Sequence, residues 1–353
     1  MFVALDQEGR RCELLSHEQA AGLKRAQAPV FCPACGERLL IRNGSQLPAH
    51  FAHRSHACNF GEPESSEHLR GKMLLRDIAV AGGWTAELEV YLPEQKQRID
   101  VLITHGAQRR ALEFQCSPLA AGRLRERTQG YASLGLPTQW LLGKRYFNDR
   151  AAAGRAKFAI LGPRGLELRF LDSARGLLWR DTQLRRHGGQ RQSLWPQLGQ
   201  SYGWGRGVQP VTAARKLALA LHYQQRPYLR LQNQCYPRRL NLAGCPWVVQ
   251  HGLSDLPGLV LPEDLLRVQW LLQFSAVPRI TVAANLAFWQ QAIRTSALPL
   301  VNAQAYAELV APQFCAELVR RGYLEWRADA WQWLQQPQWY PDLDTKLAQF
   351  NSF

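Results

Sequence analysis

The sequence has no long apolar stretch and few cysteines. Nowhere do about 18 apolar residues follow one another, which excludes a transmembrane helix. Acidic and arginine residues occur within the first ten positions, too early for the apolar region of a signal peptide, so we expect a cytoplasmic chain. Eight cysteines in 353 residues are too few for a disulfide scaffold. Closely spaced cysteines in a cytoplasmic protein favour metal binding instead.

Acidic residues are scarce in one part of the chain. The formal net charge is +15, and residues 150–240 hold 17 basic side chains but only 3 acidic ones. Fifteen of those 17 are Arg, whose planar guanidinium binds phosphate and stacks on bases. The segment therefore predicts a polyanionic partner, most simply nucleic acid. A solubilising surface without a specific ligand is the alternative.

Hydrophobic residues make up 46% of the chain, which indicates a folded protein, and the length exceeds what one hydrophobic core supports. A β-hairpin is predicted over 2–15, followed by a helix over 16–27 with Ser16 as its N-cap. From residue 64 the pattern predicts a helix, three strands, a helix and a strand. We expect an irregular segment over 173–210 and three domains: 1–62, 63–172 and a mainly helical, Arg- and Trp-rich 173–353.

A group of Cys and His residues near the N-terminus predicts a zinc site. Cys32 and Cys35 are spaced to place two thiolates on one ion, and any two of His50, His53 and Cys58 could complete a tetrahedron. We favour His53 and Cys58, with His50 as the alternate. Zn²⁺ suits these donors and would supply folding energy to a module with few large apolar residues. Reduced cysteines without a metal are the alternative.

Acidic side chains within predicted strands point to a second site. Glu113 and Gln115 share one face of a strand, because residues two apart project to the same side. A carboxylate in an apolar strand is costly unless it is paired or binds a cation. Asp100, on the neighbouring strand, would repel Glu113 unless a divalent ion lay between them. Mg²⁺ or Mn²⁺ held by Asp100 and Glu113 could activate water against a phosphodiester. Surface carboxylates with a salt bridge to Arg98 are the alternative.

This layout resembles the PD-(D/E)xK, or restriction-endonuclease-like, nucleases. Their α/β core has the order α-β-β-β-α-β, with an acid on the first helix, an Asp on one strand and (D/E)-x-K on the next. The matching catalytic residues are Glu67, Asp100, Glu113 and Gln115. The resemblance implies that Glu67 completes the site and that Gln115, in place of the usual Lys, orients the nucleophile. An amide stabilises an anion less strongly than a Lys ammonium group does.

Several longer motifs resemble the competence protein CoiA family. They are MFVALD, FCPACGERL, HFAH followed by CNF, ESSEHLRGK, IDVLI, ALEFQCSPLAAGRLRERTQGY and WLLG. The resemblance covers residues 1–145 and implies a zinc-binding N-terminal module followed by a nuclease-like domain. It also implies a role in natural transformation, in which incoming single-stranded DNA is processed or recombined alongside the recombinase machinery. The family carries Glu-x-Gln-Cys-Ser at the active-site strand, so Gln115 is a family trait.

We therefore expect a DNA-binding, metal-dependent nuclease-like protein of transformation and homologous recombination, acting on single-stranded or branched DNA. The predicted DNA contacts come from the second helix and from Arg pairs: Arg123, Arg127, Gln129, Tyr131, Arg185, Arg186, Arg238 and Arg239. The alternative is a non-catalytic mediator that assists a recombinase, favoured by Gln115 in place of Lys. An RNA-processing enzyme or a defence nuclease is a third and more remote hypothesis.

Overall fold

The computed structural model describes residues 1–54, 64–148, 152–186, 188–194, 201–205 and 207–350. The chain forms two compact units. Unit 1 comprises Met1–Arg150, Leu168–Asp181 and Arg191–Tyr202, and unit 2 comprises Ala151–Glu167, Thr182–Gln190 and Gly203–Phe353. Among the described helices, none combines the length and the apolar composition that crossing a membrane requires.

Unit 1 begins with a small module of short strands and one helix. The hairpin predicted at the N-terminus is present, and the helix after it starts at the predicted cap, because the Ser16 hydroxyl accepts from the amide of Gln19 at 3.1 Å in a capping box. The module contains two antiparallel strand pairs. Its elements are β1 (Val3–Leu5), β2 (Arg11–Glu13), α1 (His17–Arg25), β3 (Leu40–Arg42) and β4 (His50–Ala52).

The rest of unit 1 is built on a mixed sheet with the predicted order of helix, three strands, helix and strand. These elements are α2 (Ser66–Ala81), β5 (Thr85–Leu92), β6 (Gln97–His105), β7 (Gln108–Gln115), α3 (Ala121–Ala132) and β8 (Thr138–Leu142), followed by α4 (Lys144–Asn148). The first three strands pair antiparallel, and β8 pairs parallel to β7. The sheet continues through β10 (Gly165–Asp172), parallel to β8, and β11 (Leu177–Arg185), antiparallel to β10.

Helices cover both faces of this sheet. Neighbouring residues of β7 enter different cores: Leu112 packs in the cluster that contains Leu69 of α2, and Ala111 packs in the cluster that contains Tyr131 of α3. The approach of α2 is close, because a Cβ added at Gly71 would lie 2.0 Å from the Phe114 ring. A glycine is therefore required where α2 crosses β7.

The segment over 173–210, which we predicted to be irregular, contains strands instead. They are β11, β12 (Gly188–Ser193) and β13 (Ser201–Gly205), which are neighbours in the sheet order. One reason lies in the buried ion pair of Arg191, whose Nε and Nη2 donate to Asp181 at 2.6 and 2.8 Å while its guanidinium lies over the Phe147 ring. Part of the Arg-rich segment is thus structural rather than a free basic surface.

Unit 2 is mainly helical. Its small strand β9 (Ile160–Gly162) pairs with the first residues of β10, and a three-stranded antiparallel sheet has the order β14-β16-β15. Those strands are β14 (Arg279–Thr281), β15 (Leu324–Arg327) and β16 (Ala330–Trp333). The helices are α5 (Ala152–Arg155), α6 (Pro210–His222), α7 (Arg226–Cys235), α8 (Glu263–Phe274), α9 (Val282–Gln291), α10 (Ala303–Arg320) and α11 (Leu343–Ala348). Eight of the twelve residues of α8 are buried, so α8 forms the centre of this unit.

Candidate functional site

The predicted cysteine pair lies on a tight turn beside a histidine. The Gly36 amide donates to the carbonyl of Cys32 at 2.9 Å, and the Ala34 amide donates to its Sγ at 3.5 Å. The Cys35 Sγ and the His53 Nε2 are 3.4 Å apart. The ligand atoms of Cys32, Cys35 and His53 all lie within 4.8 Å of one another. This turn and donor set fit a structural metal ion such as Zn²⁺.

The alternate ligand His50 is not in this group. His50 lies on β4, where its Nδ1 is 2.9 Å from the Pro48 carbonyl, and burial lowers the pKa of its imidazole. Cys58 lies outside the described residues. Over the part of the chain that the structure describes, the Cys32, Cys35 and His53 group is the one set of three or more metal-ligand side chains brought this close together.

Asp100 and Glu113 lie on adjacent strands, each one residue beyond the pair of Val101 with Leu112 in the β6–β7 ladder. The Asp100 Oδ2 accepts from the amide of Phe114 at 2.9 Å and lies 3.1 Å from Nε2 of His68. Burial alone would raise the pKa of Asp100, but the charge and hydrogen bond of His68 hold that pKa below its ordinary value. Asp100 is thus an ionised buried carboxylate.

Both carboxylate oxygens of Glu113 have partners on α3. Arg127 Nη2 donates to Oε2 at 2.6 Å, and the Tyr131 hydroxyl donates to Oε1 at 2.5 Å. Burial raises the pKa of Glu113 to about 7 in spite of the Arg127 charge, and the negative charge of Asp100 raises it as well. The side chain is only 1% exposed. An arginine therefore supplies the positive charge beside this acid pair.

Gln115 and Glu67 make their hydrogen bonds to groups other than Asp100 and Glu113. The Gln115 side-chain amide donates to the carbonyl of Ser117 at 2.8 Å and to its hydroxyl at 3.1 Å. The Glu67 Oε1 accepts from the amide of Lys144 at 2.6 Å, beyond the end of β8. Glu67 does not join Asp100 and Glu113 in one group of metal ligands among the described residues.

Sequence reasoning missed an ionic network beside Asp100. The ammonium of Lys72 is fully buried and donates to Glu64 at 2.7 Å and also to Glu89. Arg98 Nη2 donates to the same oxygen of Glu64 at 2.8 Å. Burial alone would raise the pKa of Glu89, but the charge of Lys72 outweighs it and the pKa lies below its ordinary value. The salt bridge predicted for Arg98 thus exists with Glu64 as its partner.

A signal for this network was present in the sequence. Lys72 stands three residues after Leu69 and three before Leu75, on the face of α2 that is otherwise apolar, and Glu89 interrupts the apolar residues of β5. A charge on an apolar face predicts a buried partner. The network fixes the start of α2 against β5 and β6.

Two of the predicted DNA contacts are corrected by the structure. Tyr131 is fully buried, and Arg127 points at Glu113, so neither faces a phosphate. On the same helix, Gln129 is exposed and Arg123 is exposed in an ion pair with Glu126. In unit 2 three predicted contacts are exposed: Arg185, Arg238 and Arg239. Arg186 is half-buried, with its Nε donating to the Leu256 carbonyl at 3.2 Å.

The first part of the chain is similar to known proteins. Residues 12–61 match the family model "Competence protein CoiA, N-terminal domain", and residues 64–158 match "Competence protein CoiA, nuclease-like domain". The curated "Competence protein CoiA" of Bacillus subtilis (strain 168) is 36% identical over 132 residues. That similarity spans 37% of this chain and 35% of the relative. No solved structure matches the chain.

Proposed function

We propose, from the match of residues 12–61 and 64–158 to the N-terminal and nuclease-like domain models of the competence protein CoiA family, that the chain acts on incoming DNA in natural transformation. In this proposal it works in the cytoplasm and binds single-stranded or branched DNA. The exposed arginines of unit 2 would neutralise phosphates. Gln129 and Arg123 on the outer face of α3 would add contacts beside the acid pair.

We further propose that the nuclease-like domain binds DNA without cutting it and assists a recombinase as a mediator. The observation that carries this proposal is the state of Glu113, both of whose oxygens accept hydrogen bonds from Arg127 and Tyr131. Mg²⁺ and Mn²⁺ bind through carboxylate oxygens, and the Arg127 guanidinium on Oε2 would repel a divalent ion at Glu113, so this residue does not fit one as it is arranged. Gln115 and Glu67, which the nuclease would use around the attacking water, are hydrogen-bonded to Ser117 and to Lys144.

A metal-dependent PD-(D/E)xK nuclease is the second candidate. It is favoured by the position of Asp100 and Glu113 at the end of the same two-strand ladder, beneath α2, in the helix and strand order of that fold. For this candidate Arg127 would have to move away from Glu113, because its guanidinium would repel a divalent cation bound to the same carboxylate.

The N-terminal module would hold a structural Zn²⁺ through Cys32, Cys35 and His53. Thiolates and imidazole are the donors that this ion prefers, and the turn that presents both thiols is preformed. Its role would be to stabilise the module, to which such sites contribute on the order of 10 kcal/mol. Cys58 is our proposed fourth ligand.

Binding to defined DNA substrates tests the proposed function. We expect the full chain to bind single-stranded and branched DNA in a fluorescence anisotropy titration, with an affinity that falls steeply as salt rises. In a transformable host, replacing the chain by its Asp100→Asn variant should leave transformation intact, because the mediator needs no metal ligand. Loss of transformation with a folded D100N variant would favour the nuclease, and failure to bind DNA would overturn both candidates.

A further inference from the structure

A groove in unit 2 is lined by glutamine amides and one arginine. It has a volume of about 500 Å³, which is within the range of sites for small organic groups. Its walls come from α7, α8 and α9 and from the loop before α8. The lining residues are Gln234, Arg238, Val260, Leu261, Leu266, Gln269, Leu272, Gln273, Phe288, Gln291 and Ala292.

The polar groups of this groove are concentrated on adjacent helix faces. Leu266, Gln269 and Gln273 recur on α8 at the spacing of one helix face, with the apolar residue first and the two amides after it. Gln291, at the end of α9, and Gln234, near the end of α7, bring further amides to the same groove. Within the described part of the chain, the four glutamine side chains make no hydrogen bond.

Part of the lining of the groove is apolar, and it includes one aromatic ring. Leu266 and Ala292 are buried, and the half-buried Phe288 packs edge-on against Phe274 with ring centroids 6.2 Å apart. An apolar and aromatic lining together with several amides matches a ring system whose rim carries donors and acceptors. Nucleobases have this chemistry, since their faces stack and their edges form hydrogen bonds.

The charge around the groove favours a ligand that carries phosphate. No Asp or Glu is among the described residues that line it, and Arg238 contributes a guanidinium. The exposed Arg239 and the 64%-exposed ring of Tyr236 belong to the same turn. A strand whose base entered the groove would therefore meet cations for its backbone and an aromatic ring for a neighbouring base.

We propose that this groove binds an adenine base of single-stranded DNA, with the backbone phosphate on Arg238. This inference rests on the proposed function and deepens it by placing a base contact in unit 2. Adenine is chosen because a glutamine amide can donate to N7 and accept from the N6 amino group at the same time, a pairing that discriminates among bases.

The test compares labelled oligo(dA) and oligo(dT) strands on the full chain by fluorescence anisotropy. The Gln269→Leu/Gln273→Leu double variant should lose about tenfold in affinity for oligo(dA) and keep its affinity for oligo(dT). Gln290→Leu is the matched control, because Gln290 is next to Gln291 but does not line the groove. Arg238→Ala should weaken both strands equally and lower the salt slope by about one. Thermal unfolding by circular dichroism checks that each variant is folded.

Titration with free dAMP separates this inference from the proposed function. If the wild-type chain binds oligonucleotides but the folded double variant behaves like Gln290→Leu, the groove assignment is wrong and the proposed function stands. If the wild-type chain binds neither oligonucleotide but binds dAMP, and the double variant does not bind dAMP, the groove is a site for a free adenine nucleotide, and both the strand contact and the proposed function are overturned. Absence of binding to all three ligands overturns both.

Discussion

Replacing Arg127 by Met tests whether this arginine is the counterion of Glu113. The change keeps an apolar stem of similar length but removes the hydrogen bonds to Glu113 at 2.6 Å, to Tyr131 at 3.1 Å and to the Arg98 carbonyl at 3.2 Å. Glu113 would then be a buried carboxylate without its cation. Removing one partner of a buried pair costs roughly 3–5 kcal/mol. Because the Arg127 side chain is 20% exposed and solvent screens its charge, we expect a loss below that range, about 2–3 kcal/mol at pH 8.5.

The cost should depend on pH. Glu113 has a pKa of about 7 in the folded chain against an ordinary value of 4.5, so the folded state binds the extra proton between these values. The proton on Glu113 stabilises the folded state fully below pH 4.5, and this stabilisation is lost as the pH rises through 7. In R127M the folded pKa of Glu113 rises further, and the loss extends to higher pH. At pH 5.5 Glu113 is protonated in both chains, and only about 1 kcal/mol should separate them, because the guanidinium then donates only to uncharged acceptors.

Urea unfolding of the full chain at pH 5.5 and 8.5, followed by circular dichroism, measures this difference. Arg123→Met is the matched control on the same helix, and its exposed ion pair with Glu126 should contribute less than about 1 kcal/mol at either pH. Adding Glu113→Gln to R127M should remove the extra loss at pH 8.5. An R127M variant that loses the same stability at both pH values would refute the ion-pair argument.

Three further predictions concern the metal site and the core. Cys32→Ser should abolish an otherwise stoichiometric zinc content, measured by elemental analysis, and zinc-free wild-type chain would contradict the site. Lys72→Met should cost roughly 3–5 kcal/mol in urea unfolding, because it leaves the buried Glu89 without its ion-pair partner, although Glu64 keeps Arg98, whereas the exposed Lys24→Met should change stability by less than about 0.5 kcal/mol. Gly71→Ala should lower the melting temperature, because its Cβ would overlap an aromatic ring. Gly122→Ala, on the open side of α3, should leave the melting temperature unchanged or raise it. Equal effects of the two glycine variants would contradict the close packing of Gly71 on the Phe114 ring.

The order of elements in unit 1 follows from local patterns in the sequence. Apolar residues at helical spacing define α2, and the Ser16 cap defines the start of α1. The strands of β11 to β13 were missed because they lack apolar alternation and contain Arg191, whose burial depends on Asp181 ten residues earlier. Sequence patterns do not indicate this ion pair, because it forms only when the two strands lie side by side.

The sequence predicted which acidic residues of the site are buried, but not which groups they contact. Residue spacing singled out Asp100 and Glu113 as buried acids, and the structure buries both. Glu67, which was expected to complete the site, accepts instead from the amide of Lys144, whereas the neighbouring His68 lies against Asp100. The counterion of Glu113 comes from α3, fourteen residues away, and sequence spacing carries no information about that contact.

The central claim is that the nuclease-like domain binds DNA without cleaving it. The most direct measurement incubates the full chain with labelled single-stranded, flapped and branched DNA in Mg²⁺ or Mn²⁺, and compares it with the Glu113→Gln variant. We expect the DNA strands to be bound but intact with both proteins. Cleavage by the wild-type chain that disappears in the Glu113→Gln variant would contradict it and establish the nuclease.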